Sequence, residues 1–187
     1  MSEILEIEEV DSYPPWNFSW VIPKELAAMA YPRNKENLKF LVEEGIKHLV
    51  TLCPEKKPPI EECKELKWKE IAVDPFEPPS MKNIKEFLDY CTKCRAKGEA
   101  VGVHCRLGRG RTGVMLACHF MASRNLSPHE AMAEVRLLRP GSCESEELED
   151  AVIRYHDCLR GTANIDDEVF KPKFIAETNG EAAAVAS

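Results

Sequence analysis

The chain lacks any apolar stretch close to the length of a membrane-spanning helix. Its 187 residues contain no uninterrupted apolar run approaching ~20 residues. The first residues also lack a basic segment followed by an apolar one, which is the pattern of a secretory signal. We therefore expect a protein without a membrane span that stays inside the cell, in the cytoplasm, with the nucleus as an alternative.

The sequence also lacks the pattern of a metal site or of a disulfide framework. It has eight cysteines, but without an export signal reduced thiols are the better interpretation. The one C-x-x-C motif, Cys91 and Cys94, has no second ligand pair. Nothing in the sequence requires a metal or an organic cofactor.

Negative charge is concentrated at the two ends of the chain. The net charge is −7, and acidic residues crowd the first thirteen positions and outnumber basic ones after Gly161. The middle of the chain is nearly neutral and leaves room for local binding of an anion. We predict a single folded domain over 14–160, an acidic extension over 1–13, and a disordered tail over 161–187.

Between these ends, short apolar segments alternate with helical patterns. We expect strands at 18–22, 48–52, 66–73 and 100–103. We expect helices at 34–44, 80–98, 112–124, 127–139 and 148–159, the first, second and fourth capped by Asn34, Ser80 and Ser127. This alternation predicts an α/β fold with a central sheet flanked by helices.

The most informative segment, VHCRLGRGRTG over 103–113, joins the last apolar strand to a helix. A loop in this position turns its backbone N–H groups inward above a helix N-terminus and so forms an anion site. Arg111 is predicted to hold two phosphate oxygens with its planar guanidinium group. The predicted phosphate-binding residues are Arg106, Leu107, Gly108, Arg109, Gly110 and Arg111.

Cys105 lies at the base of this loop. The helix end, the inward amides and the arginines favour its thiolate form, which is a strong nucleophile. Thr112 is predicted to stabilise the sulfur as a leaving group through its hydroxyl. For His104, two interpretations stay open: it orients the loop by hydrogen bonding, or it is a satisfied core histidine.

Two competing interpretations of the segment are weaker. Residues 108–113 also match the dinucleotide pattern G-x-G-x-x-G, but a capped helix after Ser127 follows where that fold needs a second parallel strand. A merely structural, buried Cys105 would leave the surrounding arginines and glycines unexplained. Phosphate chemistry is therefore the preferred interpretation.

His104-Cys105, five further residues and then Arg111-Thr112 form the H-C-x5-R-[S/T] signature of protein tyrosine phosphatases. Together with the segments 17–23, 98–105, 110–118 and 138–142, it makes the chain resemble the small atypical dual-specificity class of that superfamily over roughly 14–160. The resemblance implies the phosphatase fold, with a mostly parallel sheet. It further implies metal-free hydrolysis of phosphotyrosine, and of phosphoserine or phosphothreonine, in a protein partner through a cysteinyl-phosphate. No stable nucleic-acid complex is expected.

The resemblance also implies an aspartate on a separate loop that protonates the leaving oxygen. Here Asp74 precedes Pro75, whereas the similar phosphatase carries these two residues in the opposite order. Asp74 is the predicted acid, Glu77 is the reserve, and a plain turn residue is the alternative for Asp74. Glu144 lies where the resemblance implies a water-positioning glutamate; its alternative is an acidic residue that favours the start of the last helix.

Arg106 and Arg109 replace apolar residues of the similar phosphatase. They resemble the loops of phosphatases that act on phosphoinositides or inositol phosphates, and they are equally consistent with plain exposed charges. A phosphatase for phosphoinositides, inositol phosphates or RNA 5′ phosphates is therefore the second hypothesis. The third is a non-catalytic binder of phosphorylated ligands, which the exchanged order of Asp74 and Pro75 motivates.

Overall fold

The computed structural model describes residues 11–161. Nearly all of the predicted acidic extension and of the predicted tail lie outside these residues. The strands are β1 (Ser19–Ile22), β2 (Leu26–Ala30), β3 (Ile46–Thr51), β4 (Lys67–Glu70) and β5 (Ala100–Cys105). The helices are α1 (Lys35–Glu43), α2 (Met81–Arg95), α3 (Gly110–Arg124), α4 (Pro128–Leu138) and α5 (Glu146–Arg160). Within 11–161, no helix combines the length and the apolar character that crossing a membrane requires.

The five strands form one sheet in the order β1-β2-β5-β3-β4. Only β1 and β2 pair antiparallel; the other three pairings are parallel. This confirms the predicted α/β fold with a mostly parallel central sheet. Because β5 is the middle strand, its last residue, Cys105, lies beside Ala30 of β2 at the carboxyl edge of the sheet, where ligands bind in open α/β folds.

Helices cover both faces of the sheet. On one face, Leu38 and Leu41 of α1 pack with Met29 of β2. On the other, α2 to α5 pack with alternate strand residues such as Ala28 and Val103. α3 lies in the middle of this second layer, since all of its residues from 111 to 122 are buried.

The predicted caps are present at three helix starts. The Asn34 side chain accepts a hydrogen bond from the Asn37 amide at 3.0 Å. Ser80 and Ser127 each form a capping box with the residue three positions later. Each cap satisfies one of the amides that the first turn of a helix leaves without an intrahelical partner, which is why these starts were predictable.

The sequence analysis was wrong about two strands. It assigned no strand to β2, whose sequence LAAMA is buried at every position. Alanine is not a strand-favouring residue, and a strand buried on both faces has no alternating pattern. The strand predicted over 66–73 ends at Glu70, although the amides of Ile71 and Val73 still donate to carbonyls of the β3 segment at 3.0 Å.

Candidate active site

The loop between β5 and α3 places a cysteine and an arginine in one cleft. Cys105 is the last residue of β5 and is 3% exposed, and Arg111 lies in the first turn of α3 and is 8% exposed. The residue that caps α3, Arg109, makes no side-chain hydrogen bond to the helix start. The first amides of α3 are therefore available to an anion.

Gly108 allows the loop to lie directly on β2. Its φ is +68°, and a Cβ atom there would lie 2.4 Å from the carbonyl oxygen of Met29. The positive φ disfavours other residues at this position, and the backbone contact leaves no room for a Cβ atom. The close approach of the loop to the end of β2 fixes the distance between the loop and the sheet edge.

Two side chains hold the carbonyl groups of the loop from outside. Asn17 Nδ2 donates to the carbonyl oxygens of Leu107 at 3.2 Å and Gly108 at 3.3 Å. The buried Arg139 donates from Nη2 to Gly108 O at 2.8 Å and from Nη1 to Ala28 O at 3.0 Å. Because these contacts bind the carbonyls on the outer side, they favour inward-pointing amides, as an anion site needs.

Arg111 is held by a carboxylate that the sequence analysis did not identify. Its Nη1 donates to Glu55 Oε2 at 3.1 Å and to Val73 O at 2.9 Å, and its Nη2 donates to Glu55 Oε1 at 2.7 Å. These bonds use three of the five guanidinium N–H groups. The other two, on Nε and Nη2, share one edge and match two phosphate oxygens. The Arg111 hydrogen bonds also hold the pKa of Glu55 below its ordinary value.

His104 is completely buried beside the nucleophile candidate. Its Nε2 lies 2.7 Å from Thr51 Oγ1, and its Nδ1 lies 3.8 Å from Cys53 Sγ. Burial lowers the pKa of His104 to about 3, so the ring is neutral near pH 7. These contacts fit both interpretations of the sequence, and the orienting role stays a prediction.

Thr112 is also completely buried. Its Oγ1 has no hydrogen-bond partner among the residues that the structure describes. A buried hydroxyl without a partner is costly, and a thiolate on the nearby loop would satisfy it. The role of Thr112 toward the sulfur of Cys105 stays a prediction, and its unpartnered buried hydroxyl supports it.

Cys105 and Arg111 lie in a cleft of about 560 Å³. The described residues that line it come from the loop after β3, the segment before α2, the phosphate loop and the start of α5. They are Glu55, Pro75, Phe76, Glu77, Pro78, Cys105, Arg106, Leu107, Gly110, Arg111, Ser145, Glu147 and Leu148. This volume lies within the ordinary range of small-molecule sites, about 300–1,000 Å³.

The predicted acid, Asp74, does not line this cleft. Its residue is exposed, and its Oδ1 accepts a hydrogen bond from the Phe76 amide at 3.0 Å. This contact belongs to a turn residue that caps its own turn. Glu77, the reserve candidate, does line the cleft.

Glu144, the predicted water-positioning residue, is exposed and does not line the cleft either. It lies two residues before α5 begins. Glu147, in the first turn of α5, lines the cleft instead. Hydrogen bonds from its own amide and from Ser145 lower the pKa of Glu147, so it is a carboxylate near neutral pH.

The two arginines that motivated the second substrate hypothesis lie in different surroundings. Arg106 lines the cleft and is exposed. The guanidinium carbon of Arg109 lies 5.2 Å from the ring centre of Trp16, and its side chain packs beside Gly141. Arg109 therefore stacks on an aromatic ring and is absent from the cleft lining. Of these two arginines, only Arg106 adds positive charge at the cleft.

Known proteins share this fold. Residues 15–152 match the family described as PTP-SAK, the Swiss Army Knife protein DSP-PTPase phosphatase domain. The chain therefore belongs to this family of dual-specificity and tyrosine phosphatase domains. Membership of the dual-specificity and tyrosine phosphatase superfamily, which the sequence analysis predicted, is confirmed, and the narrower small atypical class stays a prediction.

Individual relatives match parts of the chain. It is 28% identical over 102 residues to the dual specificity protein phosphatase CDC14B of Mus musculus, which covers 54% of this chain and 19% of that protein. It is 30% identical over 78 residues to the phosphatidylglycerophosphate phosphatase PTPMT1 of Arabidopsis thaliana, a match that covers 42% of this chain and 23% of that protein. The chain thus spans about a fifth of the length of its mouse relative. The crystal structure of Tk-PTP in the active form is similar with a TM-score of 0.69 and 25% identity, covering 75% of this chain and 97% of that chain.

Proposed function

We propose that this chain is a cysteine-dependent phosphatase that hydrolyses phosphotyrosine in proteins, with phosphoserine and phosphothreonine as further substrates. The observation that supports it most is the pairing, in one cleft, of the nearly buried Cys105 with an Arg111 whose free guanidinium edge is set by Glu55. Membership of the phosphatase family supports the same function. The segments 17–23, 98–105, 110–118 and 138–142 resemble dual-specificity protein phosphatase 23 in particular, and we propose that narrower kinship as well.

The proposed reaction has two steps. The Cys105 thiolate attacks phosphorus while Arg111 and the loop amides hold the equatorial oxygens. A carboxylic acid of the cleft protonates the leaving oxygen, and the cysteinyl-phosphate is then hydrolysed by water that the same carboxylate deprotonates. The Thr112 hydroxyl stabilises the departing sulfur in the second step.

The mouth of the cleft favours a phosphate ester on an apolar body. Phe76 is 94% exposed and Leu107 is 53% exposed, and both line the cleft. Glu147 lines it too as a carboxylate, and it would repel additional phosphate groups on one substrate. A phosphotyrosyl side chain presents one phosphate and one aromatic ring to these surfaces.

The second candidate is a phosphatase for phosphoinositides, inositol phosphates or RNA 5′ phosphates. Arg106 favours it because it adds a cation beside the phosphate seat, which is the site formed by Cys105, Arg111 and the loop between them. A relative named as a phosphatidylglycerophosphate phosphatase favours a non-protein substrate too. Arg109 gives it no support, since its side chain stacks on Trp16.

Phosphate release from one substrate panel tests the proposal. The panel contains a phosphotyrosyl peptide, a phosphothreonyl peptide, a phosphoinositide and an RNA 5′ triphosphate. The phosphotyrosyl peptide is expected to give the highest kcat/KM. A higher value for the phosphoinositide or the RNA would contradict the proposal, and binding of the peptides without any turnover would identify a phospho-ligand binder.

Two variants sharpen the same panel. Arg106→Ala is expected to lower kcat/KM for any highly charged substrate more than for the phosphopeptides. The reason is that it removes the one arginine, apart from Arg111, that adds positive charge at the cleft. Arg109→Ala is the matched control, since it removes the same charge from a side chain outside the cleft. Equal losses on all substrates for both variants would show that these arginines do not determine substrate specificity.

A further inference from the structure

The segment that carries the predicted acid is bound at its start. The Val73 amide donates to Leu52 O at 3.0 Å, and Val73 O accepts a hydrogen bond from Arg111 Nη1 at 2.9 Å. These two bonds fix the backbone immediately before Asp74. The backbone on the other side of Asp74 is restricted as well, because Pro75 disfavours helical dihedral angles for the residue before it.

Asp74 is therefore committed to the turn. Its side chain accepts from the Phe76 amide at 3.0 Å, and its carbonyl oxygen accepts from the Glu77 amide at 3.2 Å. The carboxylate is exposed and outside the cleft. To deliver a proton to the cleft, the Asp74 side chain would have to give up its hydrogen bond to the Phe76 amide.

Glu77 is placed differently from Asp74, which is absent from the lining of the cleft. It is the last residue of the turn, and it lines the cleft together with Cys105 and Arg111. Pro78 and Pro79 follow it, and their fixed φ angles stiffen the backbone at this point. The longer glutamate side chain also reaches further than an aspartate from the same position.

We propose that Glu77, and not Asp74, is the catalytic acid and base of this phosphatase. The inference rests on the proposed function. In the first step a bond forms between Cys105 Sγ and phosphorus, and the bond from phosphorus to the leaving oxygen breaks. The leaving oxygen keeps that electron pair and takes the proton of Glu77, so that an alcohol or phenol departs and Glu77 is left as a carboxylate.

The second step restores the enzyme. Glu77 takes a proton from water while the water oxygen bonds to phosphorus. The bond from phosphorus to Sγ breaks, its electron pair returns to Cys105 as a thiolate, and inorganic phosphate leaves. No oxidant, reductant or metal is needed to balance either step.

The test compares Glu77→Gln with Asp74→Asn on two substrates, an aryl phosphate with a good leaving group and an alkyl phosphate with a poor one. Loss of a general acid is expected to lower kcat/KM for the alkyl phosphate by about 100-fold or more, and much less for the aryl phosphate, which departs without help. Asp74→Asn is expected to change both substrates alike, by less than about fivefold. The alkaline limb of the wild-type pH–rate profile is expected to vanish in Glu77→Gln only.

Glu147→Gln is the control for charge. It removes a carboxylate from the same cleft, so a purely electrostatic effect would appear in it as well. A small, uniform gain on both substrates is expected in Glu147→Gln, because a carboxylate that repels phosphate is removed, and the alkaline limb is expected to be retained. Thermal unfolding of all three variants checks that each is folded, and the three positions are exposed.

The outcomes separate the two levels of the proposal. A wild type that releases no phosphate from either substrate refutes the proposed function, and the inference falls with it. An active wild type whose Glu77→Gln variant keeps its alkyl-phosphate turnover, or whose Asp74→Asn variant shows the selective loss, refutes the inference alone.

Discussion

The two sides of the cleft are built in different ways. Cys105 and Arg111 of the phosphate seat are buried. The seat is held by residues far away in sequence: Glu55 holds Arg111, while Asn17 and Arg139 hold the loop carbonyls. The segment 74–79 is a short local turn whose Phe76 is 94% exposed. The seat depends on many simultaneous contacts, whereas the turn depends on few. A change in residue order is therefore tolerable in the turn and not in the seat.

Among changes that keep the nucleophile, the largest expected effect on the seat comes from Arg111→Lys. A lysine keeps the charge but cannot bind Glu55 and two phosphate oxygens at once. We expect a loss of about 100-fold to 1,000-fold in kcat, the scale of removing one preorganised transition-state donor. Steady-state kinetics on an aryl phosphate measures it, and a loss below tenfold would show that the guanidinium edge is not required.

Gly108→Ala tests the packing of the seat on β2. Its Cβ would lie 2.4 Å from Met29 O at a φ of +68°, so we expect about 2 kcal/mol or more of lost stability. Gly98→Ala is the matched control, because Gly98 has a φ of +66° but no atom near its Cβ position. Urea unfolding measures both free energies, and equal losses would contradict the proposed contact.

His104 predicts a pH dependence of stability. Its folded pKa of about 3 is below the ordinary value of 6.5, so protonation favours the unfolded chain, and stability present above pH 6.5 is lost as pH falls from 6.5 toward 3. In His104→Gln the slope over this range is expected to be shallower by at most about 1.4 kcal/mol per pH unit. His119, whose pKa burial lowers to about 4, keeps some slope in both proteins. Identical slopes in urea unfolding from pH 7 to pH 4 would contradict the account.

The smallest effects are expected at Arg109 and Arg106. Loss of the Arg109 stacking on Trp16 should lower the free energy of unfolding by about 0.5–1 kcal/mol. Arg106→Ala, which removes an exposed side chain, should change it less. If Arg106→Ala is the more destabilising variant, the two arginines have been assigned to the wrong surroundings.

Local signals in the sequence predicted most of the fold. Asn34, Ser80 and Ser127 are caps whose partners lie three residues away, and the starts of α1, α2 and α4 were predicted from them. The strand Leu26–Ala30 has no such signal, because its small residues are buried on both faces of the sheet. Tertiary burial, rather than propensity, makes it a strand.

The candidate site divides in the same way. Cys105 and Arg111 belong to one short motif and were predicted together. Glu55 was not, because it lies 56 positions from the arginine that it binds and nothing in its local sequence indicates that contact. The direction of the Arg109 side chain depends on Trp16 for the same reason.

The most direct test of the account is phosphate release by wild type and Cys105→Ser from a phosphotyrosyl peptide, together with binding of that peptide to the variant. We expect wild type to turn the peptide over. The variant is expected to lose at least about a thousandfold in turnover and still to bind the peptide, since Arg111 and the loop amides are unchanged. Turnover by Cys105→Ser close to the wild-type rate would contradict the central claim that Cys105 is the nucleophile of this site.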